Sequence, residues 1–276
     1  MIVMRRVLIL VSIVMLSVFV YDGVVRHVAA PVIVLPPLFG DVSRLTVLLM
    51  LFSLTHATAA LGWRHSLTFF ALSAVVSWLF EQVGVETGAV YGRYFYTDVL
   101  GPKLGHVPFL IPLAWFMMIY PSYVIATLIA AGRPTGTRGR AGRIAWLAFL
   151  SGMVMTAWDL VIDPILSGPA VRAWVWVDGG PYFDIPIQNY AGWMLTTFAV
   201  YGLYRWFEAR VQPRPLGSMT KAVAALPLVA YAAMMLSNLL GGGGPDALVV
   251  IAPFAMGLPL VVAAARLIGY AGEQTA

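Results

Sequence analysis

The sequence is divided into long apolar stretches, and two of them, residues 45–63 and 107–131, contain no charged side chain. An α-helix needs about 20 mostly apolar residues to cross a bilayer. Hydrophobic residues make up 61% of the 276-residue chain and charged residues only 11%, so one soluble core could not bury this much apolar surface. The pattern therefore predicts an all-α polytopic membrane protein, with residues 1–276 forming a single integral membrane domain.

We expect about eight transmembrane helices, with seven to nine as the range. The predicted spans are residues 7–27, 45–63, 66–82, 107–131, 144–162, 190–204, 222–240 and 247–265. Two of these, 66–82 and 190–204, are short, and we expect them to extend into the segments that follow. The first span resembles a signal peptide, but Pro31 would occupy an unfavourable position after cleavage, so we interpret it as an uncleaved helix.

The charges predict an orientation. If the N-terminus lies inside and the chain alternates, twelve of the 17 Lys and Arg residues fall on the inner side and ten of the 12 acids on the outer side. Basic residues concentrate in cytoplasmic loops, so both ends of the chain are predicted to be cytoplasmic, in a bacterial or archaeal inner membrane. We expect the basic loops to contact membrane lipids, and we expect no nucleic acid partner.

Two segments, residues 81–106 and 159–189, hold most of the acids and are rich in aromatic residues. We expect both to fold over the outer end of the bundle, where irregular backbone must be enclosed by protein. A shift of 78 residues aligns the two segments and pairs Glu81 with Asp159 and Trp115 with Trp193. This alignment predicts a parallel internal repeat around one central cavity.

Four acids in these segments are candidate catalytic residues: Glu81, Glu86, Asp159 and Asp163. Asp159 and Asp163 are four residues apart, which places them on one helical face, where two carboxylates repel each other and favour sharing a proton. The alternative is that the acids form ion pairs with Arg93, Lys103 or Arg172, or contact outer water.

The aromatic residues of these segments either lie at the membrane–water interface or line a pocket for an elongated apolar ligand. Asn189 either orients a polar group, which would be a carboxylate or a water molecule, or caps a helix. The candidate substrate-binding residues are Tyr94, Tyr96, Trp158, Trp174, Trp176, Tyr182, Asn189 and Trp193. The chain has no cysteine, and its four histidines are not spaced as a metal-binding pair, so we predict no metal site.

These residues carry a resemblance to a known family. The motifs are Phe80-Glu81-Gln82-Val83-Gly84-Val85, Tyr91-Gly92-Arg93-Tyr94, Ile111-Pro112, Asp163-Pro164, Tyr182-Phe183, Ile185-Pro186 and Gly192-Trp193. Over residues 78–195 the sequence resembles the membrane carotenoid-biosynthesis family, which includes hydratases of acyclic carotenoid end groups such as the bisanhydrobacterioruberin hydratase type. The resemblance implies that water is added across a terminal isoprenoid double bond without a cofactor, giving a tertiary alcohol. The partners would be a lipophilic carotenoid and water.

Such a hydration requires a protonated acid, a dry pocket and groups that stabilise a tertiary carbocation. We expect Asp159 or Asp163 to be the acid, and Glu81 or Glu86 to accept the proton of the water. Trp158, Trp174 and Trp176 would surround the cation. The alternatives are a carotenoid cyclase, which begins with the same protonation, a polyprenyl transferase, and a proton-coupled membrane transporter.

Overall fold

The computed structural model describes residues 2–29, 40–137 and 139–271, which form a bundle of long helices. The first helix, α1, comprises Ile2–Val20, a π-helical turn at Tyr21–Val25 and a short end at Arg26–Val28. The next six helices are α2 (Gly40–Leu61), α3 (Trp63–Thr87), α4 (Leu110–Ala131), α5 (Ala141–Leu166), α6 (Ile187–Arg210) and α7 (Lys221–Leu240). The last helix, α8, comprises Leu248–Ala252, a second π-helical turn at Pro253–Gly257, and Leu258–Ile268.

In the described part of the chain, seven of these helices are long and apolar enough to cross a membrane. The exception is α6, whose 24 residues are long enough but include the charged residues Arg205, Glu208 and Arg210. The prediction of an all-α polytopic membrane protein is confirmed. The two spans predicted to be short are helices of 25 and 24 residues, because α3 and α6 continue beyond their apolar centres. The orientation of the ends stays a prediction.

Helix α4 lies at the centre of the bundle, where it packs against α2, α3, α5, α7 and α8. All of its residues from 115 to 128 are buried, which agrees with the absence of charge in this stretch. The most extensive pairing of the bundle joins α5 and α6. Helices α3 and α5 each pack against both α4 and α6, and it is α3 and α5 that carry the carboxylates of the site described below.

Helices α4, α5 and α7 each contain an interior proline, at Pro121, Pro164 and Pro227. Proline has no N–H, so the carbonyl four residues earlier loses its helical donor, and inside a membrane it needs another. Each carbonyl accepts a hydrogen bond from a side chain of another segment: Ser53 Oγ to Met117 O (2.8 Å), Tyr182 OH to Leu160 O (2.8 Å) and His56 Nε2 to Val223 O (2.9 Å). The prolines therefore become points of attachment between segments.

The segments after α3 and α5 form a cap, residues 88–109 and 167–186, over one end of the bundle. In the cap, β1 (Tyr94–Tyr96) pairs antiparallel with β4 (Trp174–Trp176), and β2 (Lys103–Leu104) pairs with β3 (Val107–Pro108). Gly88 ends α3 with a φ of 70°, which turns the chain toward β1. The two acidic segments thus cover the end of the bundle as predicted, through short paired strands.

The element order helix–strand–helix occurs twice, as α3-β1-α4 and α5-β4-α6. The equivalent strands β1 and β4 pair with each other, and the equivalent residues Trp115 and Trp193 stack with ring centroids 4.1 Å apart. Contacts between equivalent elements are what a repeat around a local two-fold axis requires. Glu81 of α3 and Asp159 of α5 occupy matching places in the two units.

The opposite end of the bundle is organised around Arg205 and Glu208, whose side chains are fully buried. Thr137, from the α4–α5 connection, joins them, because its Oγ1 accepts from Arg205 Nη1 at 3.1 Å and donates to Glu208 Oε2 at 2.5 Å. Arg205 also donates to Ser151 Oγ at 2.8 Å and lies 4.4 Å from the centre of the Tyr123 ring. We call this the arginine end, and the capped end the carboxylate end.

Candidate active site

A cavity of about 310 Å³ lies under the cap, at the carboxylate end. Its wall is mostly apolar and aromatic, with side chains from α1 to α7 and from both strands of the β1–β4 pair. Its polar residues include Arg26, His27, Asn238 and the hydroxyl groups of Thr46 and Ser237, together with three acids and an amide that form the site: Glu81, Asp159, Asp163 and Asn189. All four are at most 5% exposed. A mostly apolar cavity with a few converging polar groups is the usual form of a small-molecule site.

Asp159 and Asp163 lie one helical turn apart on α5, as their spacing predicts. Asn189, in the first turn of α6, bridges them, because its Nδ2 donates to Asp159 Oδ2 at 2.9 Å and to Asp163 Oδ2 at 2.8 Å. A shared amide keeps the two carboxyl groups close together despite their repulsion. Asn189 therefore orients the carboxylates, which was one of its two predicted roles.

The strand β4 provides two further donors to Asp163. The indole N–H groups of Trp174 and Trp176 donate to Asp163 Oδ1 at 2.8 and 3.4 Å. With Asn189 this gives Asp163 three side-chain donors, whereas Asp159 has one, and the described residues supply none to Asp159 Oδ1. The pair is therefore unequal: Asp163 is held on both oxygens and Asp159 on one.

Glu81 on α3 also has three donors. Its Oε2 accepts from Tyr94 OH and, at 2.8 Å, from Tyr96 OH, and its Oε1 accepts from Trp115 Nε1 at 3.1 Å. Burial, followed by the nearby Glu81 charge, raises the pKa of Tyr94 and of Tyr96 well above the usual value. Both tyrosines therefore stay neutral and donate to Glu81 over the working pH range.

Three tryptophans form a continuous aromatic wall beside these acids. Trp115 stacks on Trp193, and Trp158 meets Trp193 edge-on at 5.8 Å. Trp158 is 4% exposed, and its Nε1 has no partner in the described part of the chain. The wall offers electron-rich faces, which attract a cation, and an unused N–H donor that a water molecule could accept.

No ion pair reaches the site acids from the described residues. Of the three basic residues considered as partners, Arg93 pairs with Asp178, Lys103 pairs with Asp98, and Arg172 is exposed in the cap. The site acids are therefore concentrated beside a mostly apolar space, and Arg26, which also lines the cavity, pairs with Asp22 at 3.1 Å. Acids buried in this way are typical of functional sites. Among the described residues, no three His, Cys, Asp or Glu side chains converge to hold a metal ion.

The structure does not bring two of the predicted site residues to the cavity. Glu86 is exposed and lies five residues after Glu81, which places it about 140° around the helix from Glu81. Tyr182 is half-buried outside the cavity and donates to the carbonyl of Leu160, which Pro164 leaves without a helical donor. Tyr182 thus holds the turn of α5 that carries the acid pair.

The structure brings the other candidates together at the cavity. They are Glu81, Asp159, Asp163, Tyr94, Tyr96, Trp158, Trp174, Trp176, Asn189 and Trp193. Two further residues, Trp115 and Tyr91, were not among the predicted site residues. Tyr91 packs so closely between Gly84 and Gly192 that a Cβ on either glycine would lie under 3 Å from its ring. The sequence does contain a signal that indicates Trp115 as a site residue: the 78-residue shift pairs it with Trp193, which was among the predicted site residues.

The structure thus defines a class of protein: a helical membrane bundle with three buried acids in a capped, mostly apolar cavity. The carotenoid biosynthesis protein family matches residues 42–264, which is most of the chain, and the protein belongs to this family. Bisanhydrobacterioruberin hydratase of Haloarcula japonica is 34% identical over 134 residues. That match covers 48% of this chain and 42% of the relative, so it spans less than half of either protein. No solved structure matches.

Proposed function

We propose that this protein hydrates the terminal isoprenoid double bond of an acyclic carotenoid end group and produces a tertiary alcohol without a redox cofactor. The observation that carries the proposal is the unequal acid pair, with Asp159 Oδ1 unpartnered among the described residues in an apolar cavity. Membership of the carotenoid biosynthesis family and the similarity to a named hydratase support it. The protein would act in a bacterial or archaeal cytoplasmic membrane, with the carboxylate end outward.

Asp159 is the proposed acid. Hydrogen-bond donors favour the ionised form of a carboxyl group, and Asp159 has one such donor, while Glu81 and Asp163 have three each. Asp159 is therefore the group that keeps a proton, and it passes this proton to the less substituted carbon of the double bond. The other alkene carbon becomes a tertiary cation.

The cation would lie between the aromatic wall and the fixed negative charge of Glu81. Because its donors hold Glu81 in place, no reorganisation is needed when positive charge develops. A water molecule then bonds to the cationic carbon, and its surplus proton returns to Asp159. The sum is the addition of one water molecule, and the acid is regenerated. From the sequence, Glu81 or Glu86 is expected to accept this last proton. The hydrogen bonds of the three buried acids favour Asp159 as the acceptor instead.

The test is the mass of pigments from bacteria that make lycopene or γ-carotene, with and without this protein. A gain of one water molecule is expected with the wild type. Asp159→Asn should lower product formation about 10²–10⁴-fold, the usual contribution of an acid–base group. Glu86→Gln is the matched control, because the exposed Glu86 lies outside the cavity and its loss should leave the product unchanged.

Other outcomes identify the competing functions. A rearranged pigment of unchanged mass would indicate a cyclase. A magnesium-dependent gain of an isoprenoid unit would indicate a polyprenyl transferase. Unaltered pigment together with proton-coupled solute flux would indicate a transporter. Each of these results would overturn hydration.

A further inference from the structure

The cavity is too small for the whole of the proposed substrate. An engineered cavity of 150 Å³ is filled by benzene, so about 310 Å³ has room for roughly a dozen carbon atoms. A carotenoid has forty, so the cavity holds one end group while the rest of the polyene lies elsewhere. This argument rests on the proposed function.

A second space in the structure is a candidate site for the rest of the polyene, which we call the tail. It is an apolar groove of about 320 Å³ at the seam between α1 and α7. Its residues include Ser17, Val20, Val25, Leu226 and Val229. Ser17 is exposed, and Val25 and Val229 are 38% and 46% exposed, so the groove opens on the outer face of the bundle, where lipid would lie.

The groove and the cavity are neighbours along the same two helices. On α1, Val20 lines the groove and the preceding Phe19 lines the cavity; Val25 lines the groove and the following Arg26 lines the cavity. The residues that line the two spaces thus neighbour each other at both ends of the π-helical turn Tyr21–Val25. π-Helical turns inside α-helices are frequently found at functional sites.

One of the contacts between α1 and α7 at this turn is especially close. A Cβ built on the buried Gly23 would lie 2.7 Å from Ser237 Oγ and 3.2 Å from Ser237 Cβ. Ser237 itself lines the cavity. Gly23 thus allows α1 and α7 to approach closely at the boundary between groove and cavity.

We propose that the α1–α7 groove binds the polyene tail of the substrate, and that the end group enters the cavity from the membrane by separation of the Gly23–Ser237 contact. The tail then stays in the apolar groove while the end group reaches the acids. The forty-carbon substrate therefore does not have to leave the membrane in order to react.

The first test locks the contact. Gly23→Cys combined with Ser237→Cys places the two Cβ atoms 3.2 Å apart, so a shift of a few tenths of an ångström brings them into the range of roughly 3.5–4.5 Å found in disulfides. The natural chain has no cysteine that could compete. The readout is the lycopene that remains bound, by visible absorbance, after expression in lycopene-producing cells under oxidising or reducing conditions. The oxidised protein should retain less than about a tenth of the lycopene of the reduced protein. Each single-cysteine variant should be insensitive to redox conditions. Equal retention in both states, or no retention by the wild type, would overturn the proposal.

A second variant tests the groove without a disulfide. Ser17→Trp fills the groove and should lower lycopene retention about tenfold, while a ten-carbon acyclic terpene, which fits inside the cavity, is converted as by the wild type. Leu195→Trp is the control, because Leu195 is 55% exposed on α6, away from the groove. Equal lycopene retention by the two variants would overturn the proposal, as would a groove that holds a phospholipid chain and not the polyene.

The readouts separate the two proposals. Lycopene that binds and keeps its mass would overturn hydration and leave the route through the seam standing. A hydrated product from the locked protein would overturn the route and leave hydration standing.

Discussion

At the arginine end, positive Arg205 and negative Glu208 are both fully buried, and Thr137 links them by hydrogen bonds. At the carboxylate end, Asp159 and Asp163 are equally buried, but both are acids, no basic side chain of the described residues forms an ion pair with them, and they border a cavity. Compensated charges sealed by their own hydrogen bonds serve the fold, whereas uncompensated ones facing an open space serve a ligand. Because both pairs of side chains are buried to the same depth, burial does not distinguish their roles. The presence of an opposite charge at one end and of a neighbouring cavity at the other does.

The largest contrast is expected in stability. Arg205→Met leaves Glu208 buried without its counter-charge and should lower the free energy of unfolding by about 3–5 kcal/mol. Asp159→Asn, an isostere of the protonated acid, should change it by less than about 1 kcal/mol. Thermal unfolding in detergent micelles measures both. Equal losses for the two variants would remove the distinction between the ends.

The carboxylate end can be probed through one hydrogen bond. Trp115→Phe removes the N–H that donates to Glu81 Oε1 but keeps a ring against Trp193. A hydrogen bond to a charged group contributes about 1.5–3 kcal/mol, so carotenoid turnover should fall roughly 10–100-fold. The control variant is Trp193→Phe, in which the hydrogen bond from Trp115 to Glu81 remains. Carotenoid turnover should fall less in this variant. A larger fall for Trp193→Phe would show that stacking matters more than the Glu81 bond.

Tyr182 tests whether the carboxylate end also contains purely structural contacts. Tyr182→Phe leaves the Leu160 carbonyl without its donor and should cost about 1 kcal/mol of stability. Substrate affinity should not change, since Tyr182 lies outside the cavity. Unfolding temperature and lycopene binding measure the two effects. A weaker affinity for lycopene at an unchanged unfolding temperature would show that Tyr182 binds the substrate, as the sequence predicts.

The smallest effect is expected at the exposed pair of the cap. The Arg93 guanidinium, which donates to Asp178 Oδ2 at 2.8 Å, holds the pKa of Asp178 below its ordinary value. The stability from this pair is present above the unfolded aspartate pKa of about 3.9 and is lost as the pH falls through the lower folded value. Arg93→Gln should lower the unfolding temperature slightly at pH 6. The difference from the wild type should vanish under strongly acidic conditions; a constant difference would contradict the assignment.

The helices and the acid pair were predictable because each depends on local pattern. Apolar length located all eight helices, and the spacing of Asp159 and Asp163 placed both on one face. Helical spacing also separates Glu86 from the site, because its five-residue distance from Glu81 turns it away from the cavity.

The donors of the carboxylates were less accessible to sequence reasoning. Trp174 and Trp176 were predicted to surround a cation, yet their N–H groups hold Asp163. The difference depends on the pairing of β1 with β4, whose residues are about 80 positions apart in the chain. Pairing over such a distance is set by tertiary packing and leaves no periodic signal in either short strand.

The pairing of β1 with β4 has a consequence for sequence variation among relatives. Tyr94 lies directly opposite Trp176, and each donates to a carboxylate on a different helix. A replacement at one position changes the space and the hydrogen bonding available at the other. Positions 94 and 176 should therefore change together during evolution, and so should positions 96 and 174. Joint substitution at such a pair would mark subfamilies whose cavities differ in shape.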